Sequence, residues 1–268
     1  VSEWLGERAK VFAPELRSLK LIDLLEHRSG LPAWRNLWVG SLHLQARGGA
    51  RERVVDRLNY FARECGVSKQ HCYSDLGYLL LGLALEELYD EPLARLYSKM
   101  CIEDFGLVEP ELLYGGELAN KAQAIPSAYC KVRGRWLIGE VHDENASMLQ
   151  GGAGNAGLFG SGRQLLRQLQ AMCASELGRA LFEEISERSE SGSTTGHILG
   201  WDTTTISKWR GRVVVGHLGF TGTGFWYCPS LGRVLILLTN RVISGRRACW
   251  MKSFRRDCFD RLSSLKGQ

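Results

Sequence analysis

No stretch of this 268-residue chain is apolar for the roughly 18 residues that a membrane-crossing helix needs. The longest candidate, Leu76 to Leu88, is interrupted by Gly77, Gly82, Glu86 and Glu87. The eight cysteines, at 65, 72, 101, 130, 173, 228, 249 and 258, form no Cys-x-x-Cys and no zinc-type spacing. His142-Asp143-Glu144 lacks a partner such as His-Glu-x-x-His, so no metal is expected. The Gly-rich run 151–157 has no Gly-Lys-Ser/Thr and is not a phosphate loop. Gly-x-Ser-x-Gly is absent, which removes the nucleophile elbow of the α/β-hydrolases. There are no internal repeats. The chain opens at Val1 without a basic-then-apolar leader and reads as the inside of a longer protein.

What is present is ordinary for a globular domain: 44% hydrophobic and 24% charged residues. The length suffices for one large domain or two lobes sharing a core. A net charge of +5 makes no case for nucleic acid. Eight Lys or Arg against two Asp crowd residues 241–268, read as the solvated face of a terminal helix, with a membrane-surface or acidic-partner patch as the alternative. The cysteines read mostly as reduced core residues; if the protein is exported, Cys65–Cys72 is the expected local pair.

Helical patterns fill the first half. Leu21 to Leu25 form a short helix stopped at Ser29-Gly30-Leu31-Pro32, and 51–64 carries Val54, Val55, Leu58 and Phe61 at helical spacing. Residues 75–89 are apolar nearly all round and should be buried. A shorter helix follows over 93–101. Residues 103–162 read as long loops with short turns, 163–174 as a helix and 187–195 as a polar surface loop. Short β-branched and aromatic runs at 197–205, 212–217, 224–229 and 233–240 predict an antiparallel meander, closed by a helix over 247–265. The fold class is α/β of the α+β type: a helical lobe (about 1–150) beside an antiparallel sheet flanked by helices (about 151–268). A ligand cleft is expected at their junction.

Four stretches carry a resemblance. They are His27-Arg28-Ser29-Gly30-Leu31-Pro32; Tyr73-Ser74-Asp75-Leu76-Gly77-Tyr78; Val141-His142-Asp143-Glu144-Asn145-Ala146 with Gly151 to Phe159; and His217-Leu218-Gly219-Phe220-Thr221-Gly222-Thr223-Gly224, running into Val234 to Arg241. In this order they resemble the serine β-lactamase-like family: class C-type β-lactamases, DD-peptidases and esterases. The resemblance implies one β-lactamase-like domain over 1–268, incomplete at its N-terminus, that cleaves an ester or amide through an acyl-enzyme and needs no cofactor. It implies Tyr73 and His217 as catalytic groups, both facing one crevice, with Asp75, Gly219 and the Phe220 N–H on the substrate. Asp75 stands where penicillin-recognising members have Asn, and an ionised Asp only accepts hydrogen bonds. With His217-Leu218 this favours an esterase or DD-peptidase over a β-lactamase. The implied partner is a small-molecule or peptidoglycan-like substrate, and both extracytoplasmic and cytoplasmic locations stay open. His27 is implied to be structural.

The family's Ser-x-x-Lys nucleophile should precede His27, and nothing there supplies it. The match at Ser263-Ser264-Leu265-Lys266 lies where a chain end frays. The expectation is that Ser and Lys lie upstream of Val1; the alternative is a non-catalytic binding protein that keeps the cleft.

Overall fold

The computed structural model describes residues 1–41, 49–65, 71–191, 196–203, 208–209, 211–243 and 250–264. The chain has the expected mixed helix and antiparallel-sheet architecture. It divides into two compact units that trade segments along the sequence. Unit 1 holds Val1–Met100, Leu113–Gln123 and Gly139–Phe159; unit 2 holds Cys101–Leu112, Ala124–Ile138 and Gly160–Gln268.

Unit 1 is built on helices α1 (Leu21–Leu25), α2 (Ala50–Cys65), α3 (Asp75–Tyr89), α4 (Leu93–Glu103, whose last turn passes into unit 2) and α5 (Glu144–Met148). Helix α3 is its axis. Leu76, Leu79, Leu80, Leu83 and Ala84 are all buried, packed with Leu24 of α1 and with Val54, Leu58 and Ala62 of α2. Seven apolar or Gly positions spread around α3 are buried, so it is wrapped on several sides, as its unbroken apolar composition predicts. The Gly-rich run closes against it. A Cβ at Gly154 would lie 2.1 Å from the Tyr78 carbonyl oxygen, so only glycine permits this approach of loop to helix. Helix α5 lies inside the stretch read as loops, started by Asp143, whose Oδ1 accepts the Ala146 N–H at 2.7 Å.

Unit 2 contains helices α6 (Gly162–Ala174), α7 (Glu176–Glu190) and α8 (Met251–Ser264). Its described sheet has five antiparallel strands: β1 (His197–Ile198), β2 (Trp201–Asp202), β3 (Val215–Leu218), β4 (Gly224–Cys228) and β5 (Arg233–Leu237). They lie side by side in chain order. Alternation along the strands loads both faces. Val214, Trp226 and Cys228 pack with Phe259 of α8, whereas Val215 and Ile198 pack with Phe182 and Ile185 of α7, joined by Tyr227.

The structure departs from the sequence reading in further places. The run 197–205 is not one strand: His197–Ile198 and Trp201–Asp202 pair with each other across a turn at Leu199-Gly200. The run 212–217 is not one strand: Arg212–Val213 pairs with Lys208–Trp209 in a separate hairpin, and the sheet strand starts at Val215. The last strand ends at Leu237, because Asn240 turns its side chain onto the Pro126 and Ser127 carbonyls at 2.8 and 3.0 Å. Residues 187–190 belong to α7, a helix hidden by its Glu- and Ser-rich composition. Its signals were legible: Ser175 Oγ caps the Gly178 N–H at 3.0 Å, and Leu181, Phe182 and Ile185 sit at helical spacing. Cys65 and Cys72 are free thiols, as the reduced reading of most cysteines expects, and do not form the alternative local pair. The readings at 192–195, 204–205, 247–249 and 265–266 lie outside the described residues.

Candidate active site

The site residues named from sequence fall in two constellations, one in each unit. Each is described by itself.

In unit 1, the chain enters α3 through Cys72-Tyr73-Ser74, and His27 holds both neighbours of Tyr73. The Cys72 N–H donates to the His27 carbonyl at 2.9 Å, and the Ser74 N–H donates to His27 Nδ1 at 3.0 Å. Because Nδ1 accepts, the proton of the neutral ring sits on Nε2. His27 is 1% exposed and has φ 56°, a left-handed conformation uncommon outside glycine. Its ring packs 4.2 Å from that of Tyr73 and 5.1 Å from that of Tyr78. Tyr78 is anchored in turn by its hydroxyl, which donates to the Leu25 carbonyl at 2.9 Å. Ser74 caps α3: its Oγ accepts the Gly77 N–H at 3.2 Å and donates to the Pro32 carbonyl at 2.7 Å. His27 and Ser74 are therefore scaffold, whereas Tyr73 stands 44% exposed on top of them.

Asp75 opens the first turn of α3, with its N–H donating to the Ala33 carbonyl at 2.9 Å. Its carboxyl is pushed up to about 6, first by burial and then by the negative charge of Asp143. Asp143 is itself fixed by the Ala146 N–H and by Trp34 Nε1, which donates to Oδ2 at 3.3 Å. Beside it, buried Asn145 ties down the 35–37 backbone, accepting the Leu37 N–H at 3.0 Å and donating to the Arg35 carbonyl at 2.9 Å. The sequence analysis weighs Asp143 as a metal ligand and as part of a family-like stretch; its influence on Asp75, 68 positions away in the chain, has no local signal.

In unit 2, His217 lies on β3, and Gly219 and Phe220 begin the turn to β4. Burial pushes the His217 imidazole below its ordinary value, opposed by the Asp202 carboxylate and by the contact with the Leu218 carbonyl. The ring is neutral at neutral pH. Its Nδ1 lies 3.2 Å from the Leu218 oxygen, and a carbonyl only accepts, so Nδ1 carries the proton and Nε2 offers a lone pair. The turn itself is tight. The Gly219 N–H donates to the Thr223 carbonyl at 2.9 Å and the Gly222 N–H to the Gly219 carbonyl at 3.1 Å. Gly222 has φ 119°, and a Cβ there would lie 2.8 Å from the Arg241 backbone nitrogen.

Two arginines grip this turn. Arg255 of α8 is 5% exposed, and its Nη2 donates to the Gly219 and Thr223 carbonyls, both at 3.0 Å. Arg241 donates from Nε to the Phe220 carbonyl at 2.5 Å and lays its guanidinium over the Phe220 ring, 4.6 Å from the centroid. The terminal basic cluster is thus not purely a solvated helix face. The sequence reading missed Arg255 because charge on a helix reads as solvated until a tertiary partner is known.

The Beta-lactamase family model matches residues 1–254. The N-acetylmuramyl-L-alanine amidase of Bacillus subtilis (strain 168) is 26% identical over 248 residues, covering 83% of this chain and 56% of that protein. A protein of Escherichia coli (strain K12) named "Putative D-alanyl-D-alanine carboxypeptidase" is 26% identical over 254 residues, covering 84% and 57%. The chain therefore spans just over half the length of these curated relatives. Among solved structures, a D-stereospecific amidohydrolase from Streptomyces sp. superposes with a TM-score of 0.54 at 17% identity, covering 88% of this chain and 72% of the other, which is a likeness of fold. With four motifs in order, this fold and a family match over nearly the whole sequence, the chain belongs to the Beta-lactamase family.

Proposed function

We propose that the protein is a serine hydrolase of the β-lactamase-like superfamily that cleaves an amide or ester through an acyl-enzyme, with residues 1–268 forming part of one catalytic domain. The attacking Ser and its Lys come from protein outside these 268 residues. The Ser Oγ adds to the carbonyl carbon while its proton passes to the Lys–Tyr73 pair. The leaving amine or alcohol takes that proton as the acyl-enzyme forms, and water then releases the acid. Tyr73 is the proton-transfer group, and Asp75, ionised at neutral pH, accepts from a neighbouring ammonium or from substrate. His217 Nε2 holds the substrate edge, Gly219 shapes the turn beside it, and the Phe220 N–H is an oxyanion donor, a role in which one donor contributes about 3 kcal/mol. The names of the relatives favour an amide of a peptidoglycan-like substrate.

One observation carries the reading. Tyr73 is exposed, yet both flanking N–H groups are pinned by the same buried histidine, one by its carbonyl and one by its imidazole, and that ring also packs against the phenol. Such scaffolding under a solvent-facing phenol is what a positioned proton-transfer group needs. The test uses the full-length protein with a fluorophosphonate probe or a fluorescent penicillin, followed by intact mass. A covalent adduct is expected, and Tyr73→Phe should slow its formation by about 100-fold or more without changing the circular dichroism. No adduct with either probe, or an unchanged rate in Tyr73→Phe, overturns the reading.

A further inference from the structure

Residues 124–138 form a surface in unit 2 that acyl transfer does not use. Tyr129–Cys130 and Arg135–Trp136 pair as an antiparallel hairpin, with Tyr129 directly opposite Trp136. Strand alternation turns Cys130 inward, where it is buried, and Tyr129 outward. The outward side is not polar. Tyr129 is 52% exposed, Trp136 47%, and Val132 at the tip 48%. The two rings meet edge to face with centroids 6.0 Å apart, so they present one amphipathic platform. The hairpin is anchored: the Leu137 N–H donates to the Ala128 carbonyl and the Ser127 N–H to the Leu137 carbonyl, both at 2.9 Å, and Leu137 is buried. Asn240 fixes the backbone just before it. The apolar exposure therefore belongs to an ordered element and is not fraying.

The charge on this element has one sign. Lys131, Arg133 and Arg135 lie in the same hairpin, Arg135 opposite Cys130 in the register but exposed, and no Asp or Glu occurs from Ala124 to Gly139. Tyr and Trp favour the headgroup level of a bilayer, and cations beside them meet lipid phosphates. A nucleic acid would match the cations and the rings, but it gives an exposed aliphatic tip such as Val132 nothing to bury against. We propose that this hairpin docks the protein on an anionic lipid surface, with Tyr129 and Trp136 at the headgroups, Val132 below them, and Lys131, Arg133 and Arg135 on the phosphates.

The test is co-sedimentation of the full-length protein with vesicles of equal parts phosphatidylglycerol and phosphatidylcholine, against vesicles of phosphatidylcholine alone. It is read beside acrylamide quenching of Trp fluorescence, with Trp136→Phe identifying the Trp136 contribution. Wild type should bind the anionic vesicles, more weakly as salt rises, and vesicles should shield Trp136. Each cation contributes on the order of fivefold, so Lys131→Gln with Arg133→Gln and Arg135→Gln should weaken binding by on the order of 100-fold at low salt. Tyr129→Ser with Trp136→Ser should weaken it by about tenfold and leave the salt dependence. Lys131, Arg135, Tyr129 and Trp136 are exposed and Arg133 is half-buried, and unchanged melting temperatures confirm intact folds. Four results overturn the proposal: equal partition to both vesicles, no loss in either variant, a preference for a short DNA duplex over the anionic vesicles, or a Trp136 already shielded by the rest of the protein before vesicles are added. None of these outcomes depends on acyl-enzyme formation.

Discussion

Replacing Asp75 by Asn should stabilise the protein at neutral pH and leave it nearly unchanged in mild acid. Asp75 begins a helix, where the positive end of the dipole favours a carboxylate. Burial and Asp143 outweigh that benefit and lift the carboxyl from 3.8 to about 6. An acid whose folded-state value is raised binds its proton more tightly in the native state. Its contribution to stability is therefore present below about pH 4, falls as the pH rises through about 6, and is level beyond. Two units of difference correspond to about 3 kcal/mol, and residual solvation of the half-buried group makes about 2 kcal/mol the better figure. Asn keeps the shape and carries no charge. Urea unfolding followed by Trp fluorescence, repeated from pH 4 to pH 8, should show Asp75→Asn gaining about 2 kcal/mol on wild type across that range, mostly between pH 4 and 6.5. A difference that stays constant with pH, or wild type gaining on the variant as pH rises, would refute the argument that this carboxylate is held at a cost. A charge kept at such a cost in the Tyr-Ser-Asp motif is consistent with a task for it in the reaction.

Two further outcomes test the scaffold. His27→Ala leaves the buried Ser74 N–H without its acceptor and removes two ring contacts, a loss of about 2–5 kcal/mol; His27→Gly should lose about 1 kcal/mol less, because φ 56° suits glycine, and equal losses in urea unfolding would contradict the strained-backbone account. Gly154→Ala should cost about 3 kcal/mol or abolish soluble expression through the 2.1 Å clash with the Tyr78 carbonyl, whereas Gly152→Ala, with nothing nearer than 3.7 Å, should shift the melting temperature by only a few degrees; similar melting temperatures for the two variants would refute the close packing of loop on helix.

How much was legible depended on whether the information was local. Helix α3 could be read because its Leu run, its Ser74 cap and the turn after Tyr89 are contiguous. The strands could be read from β-branched and aromatic runs between turn residues. Their ends could not, because a side chain decided one of them: Asn240 reaches back more than a hundred positions to leave the ladder. Helix α7 was lost to composition, its polar face outweighing the stripe of Leu181, Phe182 and Ile185. In the candidate site, Tyr73, Asp75, His217, Gly219 and Phe220 were named from motifs. What surrounds them was not, since Arg255 and Asp143 act from elements distant in the chain.

By itself the sequence determined the family, the order of helices before strands, and the residue types offered to chemistry. These follow from spacing, and spacing is a local property of the chain. Only the tertiary structure decided that His27 is a buried brace under Tyr73, that Asp75 is pressed toward protonation, and that an arginine of the last helix grips the turn after His217. Each of these depends on hydrogen bonds or fields between groups dozens of residues apart, and no local pattern encodes which of them will meet.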